Sequence, residues 1–128
     1  MFYPQSPPGF EGKDIEIQNN ELYIGGFFTK ICGISTPSQV AKYDGNSWQP
    51  VGNYLPIIEV NSLCFYNNNL YAAGIGNSIW EFNGTNWILI GQLNVTGGAG
   101  INAMKVYNNS LVIAGVYNVK PMCTGLVI

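Results

Sequence analysis

The 128-residue chain has no histidine and no arginine, and 9% of its residues are charged, against a norm of roughly a quarter. Without histidine there is no Ser–His–Asp triad or other imidazole relay. The five lysines (Lys13, Lys30, Lys42, Lys105 and Lys120) are scattered, and the formal net charge is −2. Nucleic-acid binding needs clustered positive charge to release phosphate counterions, so no nucleic-acid partner is expected. Long apolar runs are also missing. The longest hold four residues, or seven with glycine counted, far short of the roughly 20 needed to span a bilayer, so no membrane span is expected. The opening "MFYPQSPPGFEG" has neither a basic nor an apolar region of signal-peptide type. Compartment stays open between a cytosolic protein and a fragment of a longer exported or virion chain. Three cysteines (Cys32, Cys64 and Cys123) are odd in number and lack CxxC spacing, which points to neither a disulfide framework nor a zinc site. Cys64, inside "SLCFY", reads as a small buried side chain. No metal or cofactor is expected.

What the chain does have is 47% apolar residues, enough for one domain's core, and an internal repeat. "NELYIGG" (20–26), "NNLYAAG" (68–74) and "NSLVIAG" (109–115) align, with Leu22, Leu70 and Leu111 spaced by 48 and 41. Upstream, "DIEIQNN", "SLCFYNN" and "AMKVYNN" superpose. Downstream, "VAKYDGNSWQPVG" (40–52) matches "IWEFNGTNWILIG" (79–91), with Trp48 and Trp87 spaced by 39. The nine-residue difference between 48 and 39 lies wholly in "FTKICGISTPSQ" (28–39), which the second copy replaces by "GNS" (76–78).

The periodicity inside a unit is that of strands: short runs rich in aromatic and β-branched residues, bounded by Asn and Gly. Strands are predicted near 14–18, 22–27, 39–43, 47–51, 60–66, 70–74, 78–82, 87–91, 102–107 and 111–116. The Asn-Asn pairs before each Leu tolerate the left-handed backbone of a tight hairpin, and "DGN" and "NGT" are strong hairpin signals. Each unit reads as a four-stranded antiparallel meander. Both faces of its strands are apolar, which requires other sheets on both sides. Stacked four-stranded sheets of about 40 residues are propeller blades.

The small-Gly pair (Gly25-Gly26, Ala73-Gly74, Ala114-Gly115), the aromatic (Tyr43, Phe82) and the tryptophan five residues on (Trp48, Trp87) resemble kelch-like, galactose-oxidase-type β-propeller repeats. The resemblance covers 14 to about 115. It implies an all-β fold of tandem four-stranded antiparallel blades in a single partial β-propeller, open or completed by oligomerisation. Blade 1 is placed at about 14–52, blade 2 at about 60–91 and an incomplete blade 3 at about 102–128. The glycines are expected to let neighbouring blades approach, and the tryptophans to cap the blade edge. The copper oxidases of this blade type need histidine and are excluded here. Propeller glycosidases use paired carboxylates; Asp14 and Glu16 share a strand face, but solvated edge charges are the simpler reading. "VTGGAGI" (95–101) reads as a connector between blades rather than a phosphate loop.

The function expected is therefore a non-enzymatic module for protein or glycan recognition or scaffolding. The alternatives are a fragment of a propeller hydrolase or lyase with catalytic residues on missing blades, and a structural surface or virion component. Apolar outer blade faces predict self-association. Length variation concentrates in the loop 27–39 and the connectors 53–59 and 92–100, all at one end of the blades, so the recognition surface is placed there, with Phe28, Lys30, Ile34, Tyr54 and Ile57 as contacts. Deleting 30–38 is expected to leave folding nearly intact. The sequons at Asn83, Asn94 and Asn108 matter if the chain enters a secretory pathway.

Overall fold

The computed structural model describes residues 9–76, 78–92, 100–116 and 125–127, which form thirteen strands and no helix. The first sheet contains β1 (Glu11–Gln18) and β2 (Glu21–Phe27). A small hairpin of β3 (Lys30–Ile31) and β4 (Ile34–Ser35) follows, and then β5 (Val40–Tyr43) and β6 (Trp48–Pro50) complete the sheet in the order β1-β2-β5-β6. The second is β7 (Val60–Tyr66), β8 (Asn69–Gly74), β9 (Ser78–Phe82) and β10 (Trp87–Gln92), again a consecutive antiparallel meander. The third pairs β11 (Gly100–Tyr107), β12 (Ser110–Val116) and β13 (Gly125–Val127). The chain is thus all-β, built of tandem antiparallel blades in an open stack. All ten predicted strands are present. The β3–β4 hairpin and β13 were not foreseen, the first because it is two residues a side, the second because it is three residues long.

Turn chemistry set the hairpins as expected. Asn19-Asn20, Asn67-Asn68 and Asn108-Asn109 all have both residues at positive φ, between 47 and 67°, as a two-residue turn with right-handed strand twist demands. At the other turn of blades 1 and 2, Oδ1 of Asp44 accepts from the amides of Asn46 (2.8 Å) and Ser47 (2.9 Å), and Oδ1 of Asn83 accepts from Thr85 (2.9 Å) and Asn86 (2.8 Å). Asp and Asn are interchangeable there because the turn uses one oxygen.

Each first strand carries a bulge at the same place, where the register shifts between Gly12 and Asp14, Val60 and Ser62, and Ile101 and Ala103. Opposite each bulge stands a glycine. A Cβ on Gly26, Gly74 or Gly115 would collide with the carbonyl oxygen of Glu11, Glu59 or Gly100. These glycines therefore serve the pairing within a blade rather than the approach of its neighbour. Gly25 does serve that approach: its Cβ would lie 2.7 Å from Val60 Cγ1 and 3.2 Å from Leu63 Cγ on blade 2.

The bulge dipeptide turns toward the next blade. From blade 1, Lys13 Nζ sits 2.8 Å from Glu59 Oε1, and Asp14 Oδ2 accepts from the Leu63 amide at 2.7 Å. From blade 2, Asn61 Nδ2 donates to the Ile101 carbonyl at 2.9 Å, and Ser62 Oγ accepts from the Met104 amide at 3.0 Å. Apolar clusters fill the two interfaces, one around Leu63, Leu70, Ala72 and Trp87, the other around Tyr71, Ile79, Ile101 and Ile113. Trp87 donates its indole N–H to the Val51 carbonyl (2.9 Å), and Gly52 leaves the space, since a Cβ there would lie 2.6 Å from that nitrogen.

Gly74→Ala should lose more than about 2 kcal/mol of stability, through collision with a backbone carbonyl in a paired strand. Gly100→Ala, which meets nothing within 4 Å, should stay within about 1 kcal/mol of wild type; chemical denaturation reads both. The Ser47 and Asn46 amides hold the Asp44 carboxyl below its usual range. A depressed folded-state pKa stabilises above the ordinary carboxylate value, about 4, and that contribution is lost as pH falls through the folded value. Asp44→Asn should therefore melt with wild type at pH 7 and above it near about pH 2.

Candidate functional site

Three surfaces of the described residues have site character. The first is the loop face. Lys30, Ile34 and Tyr54 are exposed there, Tyr54 at 71%, as is Ile58. Phe28 (1% exposed) and Ile57 (8%) are not contacts but core. The Phe28 ring stacks on Phe10 at 5.0 Å and packs with Ile31 against Ala41, Ile24 and Trp48, on the face of blade 1 turned away from blade 2. Ile57 packs into the cluster between blades 1 and 2. The added residues of the first repeat thus wrap over a sheet face that would otherwise be open.

Gln39 ties that loop to the connector. Its Oε1 accepts from the Phe28 amide (3.2 Å) and its Nε2 donates to the Ile57 (3.2 Å) and Ile58 (2.9 Å) carbonyls, from a backbone at φ 64°. Ser38, fully buried, donates to the Val51 carbonyl at 2.7 Å. Sequence pattern gave no hint of Gln39, because its role depends on a partner eighteen residues away. The connector 92–100 lies mostly outside the described residues, as do Asn94 and Cys123.

The second surface is a groove of about 540 Å³ along the sheet edges formed by β1, β7 and β11. Glu16, Cys64 and Lys105 hold the same repeat position on these three strands and all line it. Burial raises the Glu16 carboxyl, with the charge of Asp14 adding and Lys105 opposing. Burial also raises the Cys64 thiol, followed by the Glu16 charge. That keeps Cys64 a protonated, small, buried side chain. Cys32 and Cys64 are free thiols. Asp14 is held by the Leu63 amide and, through its other oxygen, by the Ile15 amide at 2.8 Å. Its carboxylate is thus a structural acceptor, which the reading as a solvated edge charge did not capture. Among the described residues, no three His, Cys, Asp or Glu side chains converge to hold a metal ion, and no helix is long and apolar enough to cross a membrane.

The third surface lies at the end with the tight turns, where little adaptable surface was expected. A cleft of about 590 Å³ opens there between blades 1 and 2. One wall is a row of cross-strand partners on blade 1, Glu16–Tyr23–Lys42–Gln49, of which the last three line the cleft with Gln18. The facing row on blade 2 is Phe65–Leu70–Phe82–Trp87, of which the first three line it. Tyr23 meets Phe65 edge-on at 5.1 Å, and Phe82 leans on Trp87 at 5.2 Å. The Lys42 ammonium lies 3.6 Å from the Glu21 carboxylate, which also accepts from the Tyr23 hydroxyl at 3.3 Å. Burial, then Glu21, raises the Tyr23 hydroxyl. In blade 2 the equivalent Tyr71 is pushed up to about 12 by burial and by its 2.8 Å bond to Glu81.

No protein-family model matches the chain, and no curated protein matches it in sequence.

The insertion is part of the fold, which revises the expectation that it can be removed. Deleting 30–38 takes away Ile31, Thr36 and Ser38, all buried, and uncovers Phe28 and Ala41. The deletion should lose about 3 kcal/mol or more and shift the emission of Trp48 toward that of a solvated indole; unfolding curves followed by fluorescence check both.

Proposed function

We propose that the chain is a non-enzymatic recognition module of kelch-like β-propeller type, in which stacked blades hold a loop surface rigid for a protein or glycan partner. The observation that carries this reading is the anchoring of loop 27–39. Buried Phe28, Ile31 and Ser38 fix it from below, and Gln39 fixes it to the connector, while Lys30, Ile34 and Tyr54 stay outside. A preorganised loop loses little conformational entropy on binding. The face of blade 1 turned away from blade 2 keeps Ile15 and Ile17 exposed, 70% for Ile17, which supports scaffolding by self-association.

The acids favour this reading over a hydrolase. Asp14 is committed to two backbone amides, Glu21 to Lys42 and Tyr23, and Glu59 to Lys13. The triple variant Lys30→Ala, Ile34→Ser, Tyr54→Ala should melt like wild type and lose at least about tenfold in affinity for any partner isolated with the wild-type chain. Unchanged affinity in a quantitative titration would remove the loop face from recognition.

A further inference from the structure

The cleft between blades 1 and 2 has walls of opposite chemistry, and a core interface would not be built that way. The strands of its blade 2 wall offer an apolar, fixed surface, with Asn68, Asn69 and Asn83 lining it from the turns of the same blade: Phe65 is braced by Tyr23, Phe82 by Trp87, and the Trp87 N–H is already bonded to the Val51 carbonyl. Phe65 and Phe82 are half-buried, so part of each ring still faces the opening. The opposite wall and rim present Gln18, Gln49, Asn53 and Thr85, uncharged groups that both donate and accept. The lining's lysine, Lys42, faces the carboxylate of Glu21, so the cleft exerts little net pull on an ion. Its volume, about 590 Å³, falls within the roughly 300–1,000 Å³ of small-molecule sites.

A ligand that matches these walls must be neutral, with one apolar face and a ring of hydroxyls. A pyranose has that form: its axial C–H bonds make a flat apolar face for an aromatic platform, and its hydroxyls suit planar amides. A nucleotide or an acidic sugar would bring charge for which the cleft has no free partner. We propose that this cleft is a subsite for a neutral pyranoside, with Phe65 and Phe82 beneath the sugar's C–H face and Gln18, Gln49, Asn53 and Thr85 bonding its hydroxyls. The proposal rests on the recognition-module reading and narrows the partner to a glycan, at the opposite end of the blades from the loop face.

The full chain, labelled with nitrogen-15, is titrated with the methyl glycosides of glucose, galactose, mannose and N-acetylglucosamine to about 50 mM, a range set by the millimolar affinities of single sugars. At least one glycoside should shift the amides of Phe65, Phe82 and Thr85, and saturation of the protein should transfer to its ring C–H protons. Phe82→Leu and Gln49→Ala should each weaken that titration about tenfold, and Tyr107→Ser, on β11 and outside the cleft lining, should leave it unchanged. Gln49 is exposed, so its variant carries the test if Phe82→Leu does not fold. The proposal is overturned if no glycoside shifts the cleft amides, or if both cleft variants titrate like wild type. Shifts confined to Lys30, Ile34 and Tyr54 would overturn the cleft subsite and leave the recognition module standing.

Discussion

A bulge in the first strand of each blade is the constraint from which the stack follows. Inserting one residue at Lys13, Asn61 and Asn102 leaves two consecutive side chains on the edge of the sheet at the level where the next blade arrives. In an unbulged strand, neighbours point to opposite faces and one of the two would be lost to the other side. The bulge lets Lys13 and Asp14 act together on blade 2, and Asn61 and Ser62 act together on blade 3. It also dictates the glycine opposite, because the bulged carbonyl occupies the volume a Cβ would need. The most visible repeat signature in the sequence is thus the imprint of a backbone irregularity on the partner strand.

The interfaces between blades combine this polar edge with apolar filling. Each bond to a backbone amide contributes on the order of 1 kcal/mol, more where a carboxylate accepts. The clusters around Leu63 and Ile101 supply the bulk of the attraction, while the edge bonds fix the register in which blades meet. Division of labour of this kind explains why Asp14 can be replaced by Ser62 one repeat later. What the position needs is an acceptor, and the type of acceptor is free.

Turns and strands were legible in the sequence because they are local. Asn-Asn and Asp-Gly announce left-handed backbone at the residues that adopt it, and each strand shows its own boundaries. The site was far less legible. Phe28 and Ile57 looked like loop residues free to touch a partner, and their burial depends on which sheet face the loop folds over. The cleft walls exist only once β2 pairs with β5 and β9 with β8, since Tyr23 and Lys42, or Leu70 and Phe82, are separated by loops of unequal length in the two copies. Length variation marked the insertion correctly as the singular feature of the first repeat. It did not reveal that the insertion covers a sheet face, because a cap and a binding loop have the same hydropathy when read along the chain.

The acceptor position gives the blades an order. It reads Asp14, Ser62 and Ala103 along the chain, and alanine has no oxygen to offer. Blades that share turns, bulges and glycines are therefore not exchangeable parts. Transposing the second and third would set a methyl group where the following blade presents an amide. The sequence thus encodes a direction of assembly in one side chain per repeat, much as a connector with a keyed pin accepts a plug in one orientation. Anyone grafting or shuffling such repeats would have to carry this residue along with the blade that precedes the joint, not with the blade that follows it.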